Sequence, residues 1–320
     1  MIKNPLKILT YHHYTYKVVL KGTALFIYNG YYNEKYGNKV IIMNTDIKLV
    51  ALDLDRTTLN SESHLSEVNR KALIDAINNG VHVCIASGRA FDTLPEDVIS
   101  VPGIEYAITS NGAAIYRIAG KECLKSYLLT PESVNTILDL TANDTVTYEA
   151  FIKGQAFAST EYIRHPEKYG ATEHSLAYVK KTRLLKDDIK GFILEHCHEL
   201  DSLDIVVGDE ELKKDIMDRI RKATDEVYMT SSISQLLEIS YKDAGKKSGV
   251  KFLTEYLGLS RENVAAFGDA DNDTDMIEYA GVGIAMENAA PHLKQIADHV
   301  TLHHDKDGVA YAFRNILNIC

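Results

Sequence analysis

Two carboxylates one residue apart, Asp53 and Asp55, directly follow the apolar run Leu49–Leu52. A short apolar run is typical of a strand buried on both faces, and ligands of open α/β sheets bind beyond the carboxyl ends of such strands. Two anions so close together need a cation or a shared proton, and a divalent metal with oxygen ligands supplies that cation. A turn with two solvated acids is the alternative that this stretch alone leaves open.

Three further polar groups follow predicted strands or begin predicted helices. They are Ser87-Gly88-Arg89, Lys246, and the acidic loop Gly268-Asp269-Ala270-Asp271-Asn272-Asp273. A hydroxyl and free backbone N–H groups at a helix start hold a phosphate oxygen, although Ser87 in that position also serves as an ordinary cap. Asp269 and Asp273 would join Asp53 in an oxygen-rich Mg²⁺ site, with the backbone carbonyl of Asp55 as a further ligand. The acidic loop lacks the spacing of a calcium-binding EF-hand loop.

In this order the four groups resemble the sequence motifs of the haloacid dehalogenase-like hydrolases. The long insert between the second and third groups indicates the Cof-type, sugar-phosphatase-like subfamily, and the resemblance covers residues 46 to 320. Three more stretches reinforce it: Ser110-Asn111-Gly112-Ala113, Gly283-Ile284-Ala285-Met286-Glu287-Asn288-Ala289, and Asp307-Gly308-Val309-Ala310.

The resemblance implies a Mg²⁺-dependent phosphatase in which Asp53 is the nucleophile and forms an aspartyl-phosphate. Asp55 would protonate the leaving oxygen and later activate water, and Lys246 would neutralise the phosphate. The implied metal ligands are Asp53, Asp55, Asp269 and Asp273. The implied phosphate-binding residues are Ser87, Gly88, Asn111 and Asn272.

Two positions depart from the family pattern. Arg56 stands where the family has glycine after its second aspartate, which adds a cation beside the site and changes the conformations open to the loop. Lys247 stands where the family has glycine after the functional lysine, so Lys246 and Lys247 are both candidates, with Lys246 favoured by its match to the motif.

The alternation of apolar runs and helical patterns predicts an α/β fold with a parallel sheet and helical crossovers. We predict a doubly wound, Rossmann-like catalytic core from residues 46 to 128 and 243 to 320, with an α+β cap domain, residues 129 to 242, inserted into it. Five polar or aromatic residues of the insert are predicted to be mostly ordinary surface, with the lining of a substrate pocket as the alternative: Tyr148, Glu149, Tyr162, Arg164 and His165.

Residues 1 to 45 are rich in tyrosine and lysine and keep no helical or clean alternating pattern, although Lys17–Tyr28 is compatible with a strand. We therefore predict a poorly structured N-terminal extension. One hypothesis is that the native start is Met43, and peptides from before Met43 in the endogenous protein would contradict it.

The composition excludes several classes of protein. With a net charge of −10 the chain offers no electrostatic support for a nucleic-acid partner. The chain contains no stretch of 18 uninterrupted apolar residues, so we predict no membrane-spanning helix. The N-terminus lacks the pattern of a signal peptide. Four widely spaced cysteines without a CxxC pair indicate free thiols in a reducing cytoplasm.

The predicted function is hydrolysis of a small phosphorylated metabolite, such as a sugar phosphate, by a monomer or small homo-oligomer. A phosphotransferase or phosphomutase on the same scaffold is one alternative, and product analysis distinguishes it. A non-enzymatic sensor phosphorylated at Asp53 is another, and a long-lived phospho-aspartate without turnover would favour it. A nicotinamide-binding protein is disfavoured because no GxGxxG follows the first strand of the core.

Overall fold

The computed structural model describes residues 7–11, 14–21, 24–30 and 46–320. The chain forms two compact units, Met1–Asp46 and Ile47–Cys320. Among the described residues, no helix combines the length and the apolar composition that crossing a bilayer requires.

The first unit contains a three-stranded antiparallel sheet in the order β1-β2-β3. Its strands are β1 (Lys7–Tyr11), β2 (Tyr14–Lys21) and β3 (Ala24–Gly30). These strands differ from the prediction of a poorly structured extension. The physical reason is their composition, since β-branched and aromatic residues fit a pleated surface even where alternation is irregular. Met43 lies outside the described residues.

The second unit alternates strands and helices. Its strands are β4 (Leu49–Leu52), β5 (His82–Ala86), β6 (Ile104–Thr109), β7 (Ala114–Arg117), β8 (Glu122–Ser126), β9 (Thr147–Ile152), β10 (Gln155–Ser159), β11 (Leu184–Lys186), β12 (Leu200–Val206), β13 (Val227–Thr230), β14 (Leu236–Tyr241), β15 (Val264–Gly268), β16 (Val282–Ala285) and β17 (His299–Val300). Its helices are α1 (Glu67–Asn78), α2 (Glu96–Ile99), α3 (Pro131–Leu140), α4 (Thr160–Arg164), α5 (Glu173–Thr182), α6 (Ile189–Glu195), α7 (Glu210–Ala223), α8 (Lys246–Tyr256), α9 (Thr274–Tyr279), α10 (Pro291–Ile296) and α11 (Gly308–Ala312).

An eight-stranded sheet in the order β17-β16-β15-β4-β5-β6-β7-β8 forms the first layer of this unit. The strands from β17 to β6 are parallel, and the last two pairs of the sheet, β6 with β7 and β7 with β8, are antiparallel. β4 lies between β15 and β5. The chain therefore continues from β4 to β5 on one side and later adds β15 on the other side. This reversal is the topological switch point at which open α/β sheets bind ligands.

Helices pack on both faces of this sheet. Along β4 the side chains alternate, so that Val50 and Leu52 belong to one buried cluster and Leu49 and Ala51 to another. The first cluster receives apolar residues of α1 and α11, and the second receives those of α8 and α9. Each fully buried leucine or valine contributes about 1.5–3 kcal/mol. The predicted doubly wound parallel core is confirmed.

A six-stranded sheet in the order β11-β10-β9-β12-β14-β13 forms the second layer. Its pairs are antiparallel except for β10 with β11. Helices α3, α6 and α7 cover one face with Ile137, Ile193 and Ile216. The α+β character predicted for the insert is confirmed. The prediction that its polar and aromatic residues lie at the surface is wrong for Tyr148, Glu149 and Tyr162, which are buried.

The buried carboxylate of Asp201, which lies between the two layers, makes the free energy of unfolding depend on pH. Asp201 of β12 is buried, its Oδ1 accepts a hydrogen bond of 3.1 Å from Ser126 Oγ, and its Oδ2 has no partner among the described residues. Burial raises the pKa of Asp201 to about 6, against the lowering effect of Ser126. Because the folded pKa exceeds the unfolded one, this group costs stability as pH rises from about 4 to 6, and the full cost persists above that range.

We therefore expect Asp201→Asn to stabilise the protein at pH 8 by about 1–3 kcal/mol more than at pH 4. Urea unfolding of both proteins at the two pH values measures the difference, and Asp139→Asn, at an exposed position of α3, is the control. An equal effect of Asp201→Asn at both pH values would contradict the prediction.

Candidate functional site

The predicted site residues lie at one edge of the eight-stranded sheet. Asp53 follows β4, Ser87 follows β5, and Asn111 follows β6 by two residues. Asp269 follows β15 on the other side of β4. Because these strands are parallel neighbours, their carboxyl ends converge at the switch point.

Three carboxylates and one lysine form the centre of the site. Oxygen atoms of Asp53, Asp269 and Asp273 lie within 4.8 Å of one another, and all three residues are buried. Lys246 Nζ donates hydrogen bonds of 2.7 Å to Asp53 Oδ1 and 2.6 Å to Asp273 Oδ1. The lysine side chain is fully buried, so these two carboxylates replace its hydration.

Asp273 is oriented by the backbone of its own loop. Its Oδ2 accepts hydrogen bonds from the backbone N–H groups of Asp269, at 2.9 Å, and Ala270, at 3.0 Å. A Cβ on Gly268 would lie 2.4 Å from the Asp273 Cβ, so a side chain there would collide with the carboxylate. The glycine that ends β15 thus permits the turn that brings Asp273 back towards Asp53.

A second close approach positions Lys246. Gly245 donates its N–H to Asn111 O at 3.0 Å, and a Cβ on Gly112 would lie 1.9 Å from Gly245 O. The Asn111-Gly112 turn therefore packs directly against the residue before α8. Lys247 has an exposed side chain, and its backbone N–H donates to Asp275 Oδ2 at 3.3 Å. Of the two candidate lysines, the structure places Lys246 beside Asp53.

The electrostatics of this centre leave negative charge in excess. Burial raises the pKa of Asp53, and Asp273 and Asp269 raise it further against the lowering effect of Lys246. Burial and Asp273 raise the pKa of Asp269 to about 7. Although burial opposes it, Asp273 and Asp53 together raise the pKa of Lys246. Three buried acids around one lysine, with carboxylate oxygens a few ångströms apart, fit a hard divalent cation such as Mg²⁺.

Asp55 stands apart from this centre. Its carboxylate is half exposed and accepts two hydrogen bonds from Arg89, 2.8 Å from Nε and 2.7 Å from Nη2. Arg89 Cζ in turn lies 4.8 Å from the ring centre of Tyr178, on α5 beside the six-stranded sheet. The structure therefore does not bring the Asp55 side chain into the acidic cluster, because an arginine on the neighbouring loop offers it a bidentate partner. Metal binding through its backbone carbonyl stays a prediction.

The four residues predicted to bind phosphate meet around Asn111. Ser87 is buried, and its Oγ accepts a hydrogen bond of 3.2 Å from the Arg89 backbone N–H within a bend. The predicted helix start after Ser87 is wrong, since the next helical turn is Phe91–Thr93 and Ala90 precedes it. Gly88 lies beside the Asn111 amide, where a Cβ would be 3.2 Å from Oδ1. Asn272 Nδ2 donates to Asn111 Oδ1 at 3.0 Å. Phosphate binding by this group stays a prediction.

Sequence reasoning missed the residue that reaches this group from the six-stranded sheet. Glu238 of β14 is buried, and its Oε1 accepts a hydrogen bond of 2.9 Å from Asn111 Nδ2. Register places it in one row with Asp204 of β12 and Glu149 of β9, and Glu149 pairs with Arg183 at 2.7 Å. The available signal was an acid flanked on both sides by apolar residues in each of the three strands, since a buried charge needs a specific partner.

Arg56 adopts a conformation that glycine adopts without cost. Its φ is 61°, and its Nε lies 3.6 Å from Asp269 Oδ2. Asn288 Nδ2 donates to Arg56 O at 2.8 Å and to Asp269 Oδ2 at 3.3 Å, which ties the loop after β4 to the loop after β16. The departure from the family pattern therefore keeps the glycine-like backbone and adds a guanidinium beside the acidic cluster.

Comparisons with known proteins agree with this architecture. The model of the haloacid dehalogenase-like hydrolase family matches residues 50–313. The chain is 30% identical over 272 residues to the 5-amino-6-(5-phospho-D-ribitylamino)uracil phosphatase YcsE of Bacillus subtilis, covering 85% of this chain and 96% of the relative. It is also 30% identical to the phosphatase YwpJ of B. subtilis, covering 85% of this chain and 100% of that protein.

Among solved structures, a haloacid dehalogenase-like hydrolase from B. subtilis has a TM-score of 0.71 and 27% identity, covering 84% of this chain and 100% of the other. The subclass IIB sugar phosphatase BT4131 has a TM-score of 0.72 at 20% identity, covering 85% and 100% of the two chains, which shows a shared fold.

Fold and site together define an α/β protein whose acidic centre lies at the switch point of its eight-stranded sheet. The chain belongs to the haloacid dehalogenase-like hydrolases, as its resemblance to the Cof-type subfamily predicted. Within that family it is a phosphoric monoester hydrolase.

Proposed function

We propose that this phosphatase hydrolyses small phosphorylated metabolites, such as sugar phosphates, with Mg²⁺ and through an aspartyl-phosphate. The observation that carries the proposal is the placement of Lys246 between Asp53 and Asp273, with Asp269 beside them. Phosphoryl transfer depends chiefly on positioning and charge neutralisation, and this centre supplies a carboxylate, a lysine and cation ligands together.

Asp53 is the proposed nucleophile. Its Oδ1 is held by Lys246, which leaves Oδ2 to attack phosphorus while the bond from phosphorus to the leaving oxygen breaks. Asp53, Asp269 and Asp273 would hold Mg²⁺, which supplies positive charge to the phosphoryl oxygens when bound. Ser87, Gly88, Asn111 and Asn272 are proposed to contact those oxygens.

Asp55 is the proposed general acid and base. Protonated, it gives its proton to the leaving oxygen; as a carboxylate it then takes a proton from the water that attacks the aspartyl-phosphate and regenerates Asp53. The bidentate contact with Arg89 has to open for this role. Because Arg89 lies against Tyr178, movement of the segment that carries α5 would release Asp55.

We propose that residues 129–242, which contain the six-stranded sheet, form a cap that excludes water and selects the leaving group. The contact from Glu238 to Asn111 supports this role, because it joins that sheet to the catalytic edge of the other. Cys84, Cys123, Cys197 and Cys320 are free thiols, which supports a reducing, cytoplasmic location.

The test is a screen of phosphorylated metabolites with the metal-stripped protein, with and without Mg²⁺. We expect phosphate release from small phosphomonoesters that requires added Mg²⁺ and is lost again with EDTA. Isothermal titration of Mg²⁺ into the protein measures binding separately from turnover. Unchanged hydrolysis in EDTA would overturn the metal dependence, and transfer of phosphate to an acceptor other than water would favour a phosphotransferase.

A further inference from the structure

Arg56 lines a cleft, and the proposed catalytic steps assign a role to only part of it. The cleft has a volume of about 350 Å³ and opens beside Asp269. Its far wall is the loop Ser231–Ser234, which joins β13 to β14 of the six-stranded sheet, and Asn288 and Ala290 complete it. A cavity of this size accommodates a small metabolite. The cleft therefore offers room for the part of a substrate that lies beyond its reacting phosphate.

The guanidinium of Arg56 is available to a ligand. The side chain is 66% exposed, and its contact with Asp269 is long, at 3.6 Å from Nε. Within residues 46–320 no hydrogen bond to another side chain or carbonyl occupies its N–H donors. Its left-handed backbone is disfavoured for any residue with a Cβ, and such conformations concentrate at functional sites.

The opposite wall is fixed and carries hydrogen-bonding groups. Lys213 Nζ donates to Ser231 Oγ at 3.1 Å and to Ser234 O at 2.5 Å, and these hydrogen bonds hold the two ends of the segment. Ser232 donates its backbone N–H to Glu238 Oε2 at 2.5 Å, which links the same segment to the residue that contacts Asn111. Both anchors hold the serine wall at a defined position opposite Arg56.

The charges around the cleft single out Arg56. Among the described residues that line it, Arg56 is the only lysine or arginine, and the acids are Asp269 and Asp271. Asp271 lies 3.3 Å from His292 Nε2, and Asp269 belongs to the acidic cluster of the catalytic centre. An anionic group in the cleft is thus attracted by Arg56 alone. Asp271 repels such a group from the other positions along the wall.

We propose that Arg56 forms a subsite for a second anionic group, a carboxylate or a phosphate, on the leaving portion of the substrate. This inference rests on the proposed phosphatase function and narrows its substrate class to phosphomonoesters with two anionic groups. The planar guanidinium pairs with either group through two parallel hydrogen bonds, which a lysine does not reproduce. The serine hydroxyls across the cleft would contact the uncharged part between the two groups.

The test compares matched substrate pairs on wild type, Arg56→Gly and Arg56→Lys. Glycerol 3-phosphate against 3-phosphoglycerate examines a carboxylate, and glucose 6-phosphate against glucose 1,6-bisphosphate examines a phosphate. For each pair, the value of kcat/KM for the substrate with a second anionic group is divided by the value for the substrate without it. We expect Arg56→Gly to reduce this ratio by about 10- to 100-fold in at least one pair, mostly through KM. Arg56→Lys should retain part of that ratio. Unchanged ratios in both pairs would overturn the subsite.

Arg56→Gly is suited to this test because glycine adopts a φ of 61° without strain, so the variant should fold. Lys153→Gly is the matched control, since Lys153 is also a cation with positive φ, at 50°, and does not line the cleft. It should leave both ratios unchanged.

Failure of the proposed function has a different signature, because wild type would then hydrolyse none of the four compounds with Mg²⁺. In that event isothermal titration of 3-phosphoglycerate and glycerol 3-phosphate decides the subsite directly. A preference for 3-phosphoglycerate that disappears in Arg56→Gly supports it, and equal binding by the two proteins overturns it.

Discussion

Asp53→Asn is expected to lower kcat by at least about 10³-fold while preserving the fold. An amide oxygen is a poor nucleophile, so the aspartyl-phosphate does not form. The replacement is isosteric, and its oxygen still accepts the hydrogen bond that Lys246 donates to Asp53 Oδ1. Because burial raises the pKa of Asp53, removing its charge costs the folded state little, so stability should be retained or increased.

Phosphate release in the steady state measures the loss of turnover, and rapid quenching with labelled substrate detects the covalent intermediate in wild type alone. Asp271→Asn is a demanding control, since Asp271 belongs to the same acidic loop but is 65% exposed and pairs with His292. It should change kcat by less than about tenfold. Full activity of Asp53→Asn would refute the nucleophile assignment, and equal losses in both variants would indicate a general charge effect.

The centre of the site was predictable from local sequence. Asp53 and Asp269 each follow a short apolar run, and the carboxyl ends of parallel strands meet at one edge whatever their separation along the chain. Lys246 begins α8 rather than following a strand, so its place beside Asp53, 193 positions away, was implied by the motif resemblance and not by that rule. Gly268, which lies where Asp273 comes close to the backbone of its own loop, is also recognisable in the local sequence.

The contacts between the two sheets were not predictable in this way. Glu238 reaches Asn111 because the six-stranded sheet faces the loop after β6, whereas Asp55 binds Arg89 on the neighbouring loop of its own sheet. Periodicity reports which side of a strand is buried but not which partner covers it. The same limit applies to the edge hairpin of β7 and β8, whose antiparallel return depends on pairing with β6 rather than on a helical crossover.

Lys246→Met is expected to abolish measurable turnover and to destabilise the protein by about 3–5 kcal/mol at pH 8. The substitution retains the apolar part of a fully buried side chain but leaves Asp53 and Asp273 without their shared cation. The effect should shrink at acidic pH. Lys246 lowers the pKa of Asp53 in the native protein, so without it the carboxyl takes up a proton more readily, and the cost is relieved as pH falls.

Urea unfolding at pH 8 and pH 5, without added metal, measures this dependence, and Lys247→Met is the matched control because its side chain is exposed one residue away. Lys246→Arg, which keeps the charge, separates loss of the cation from loss of shape if the methionine variant does not fold. The assignment predicts that only position 246 couples turnover to pH-dependent stability. If Lys247→Met reproduced both effects while Lys246→Met behaved as wild type, the buried lysine would not be the group that balances the acidic centre.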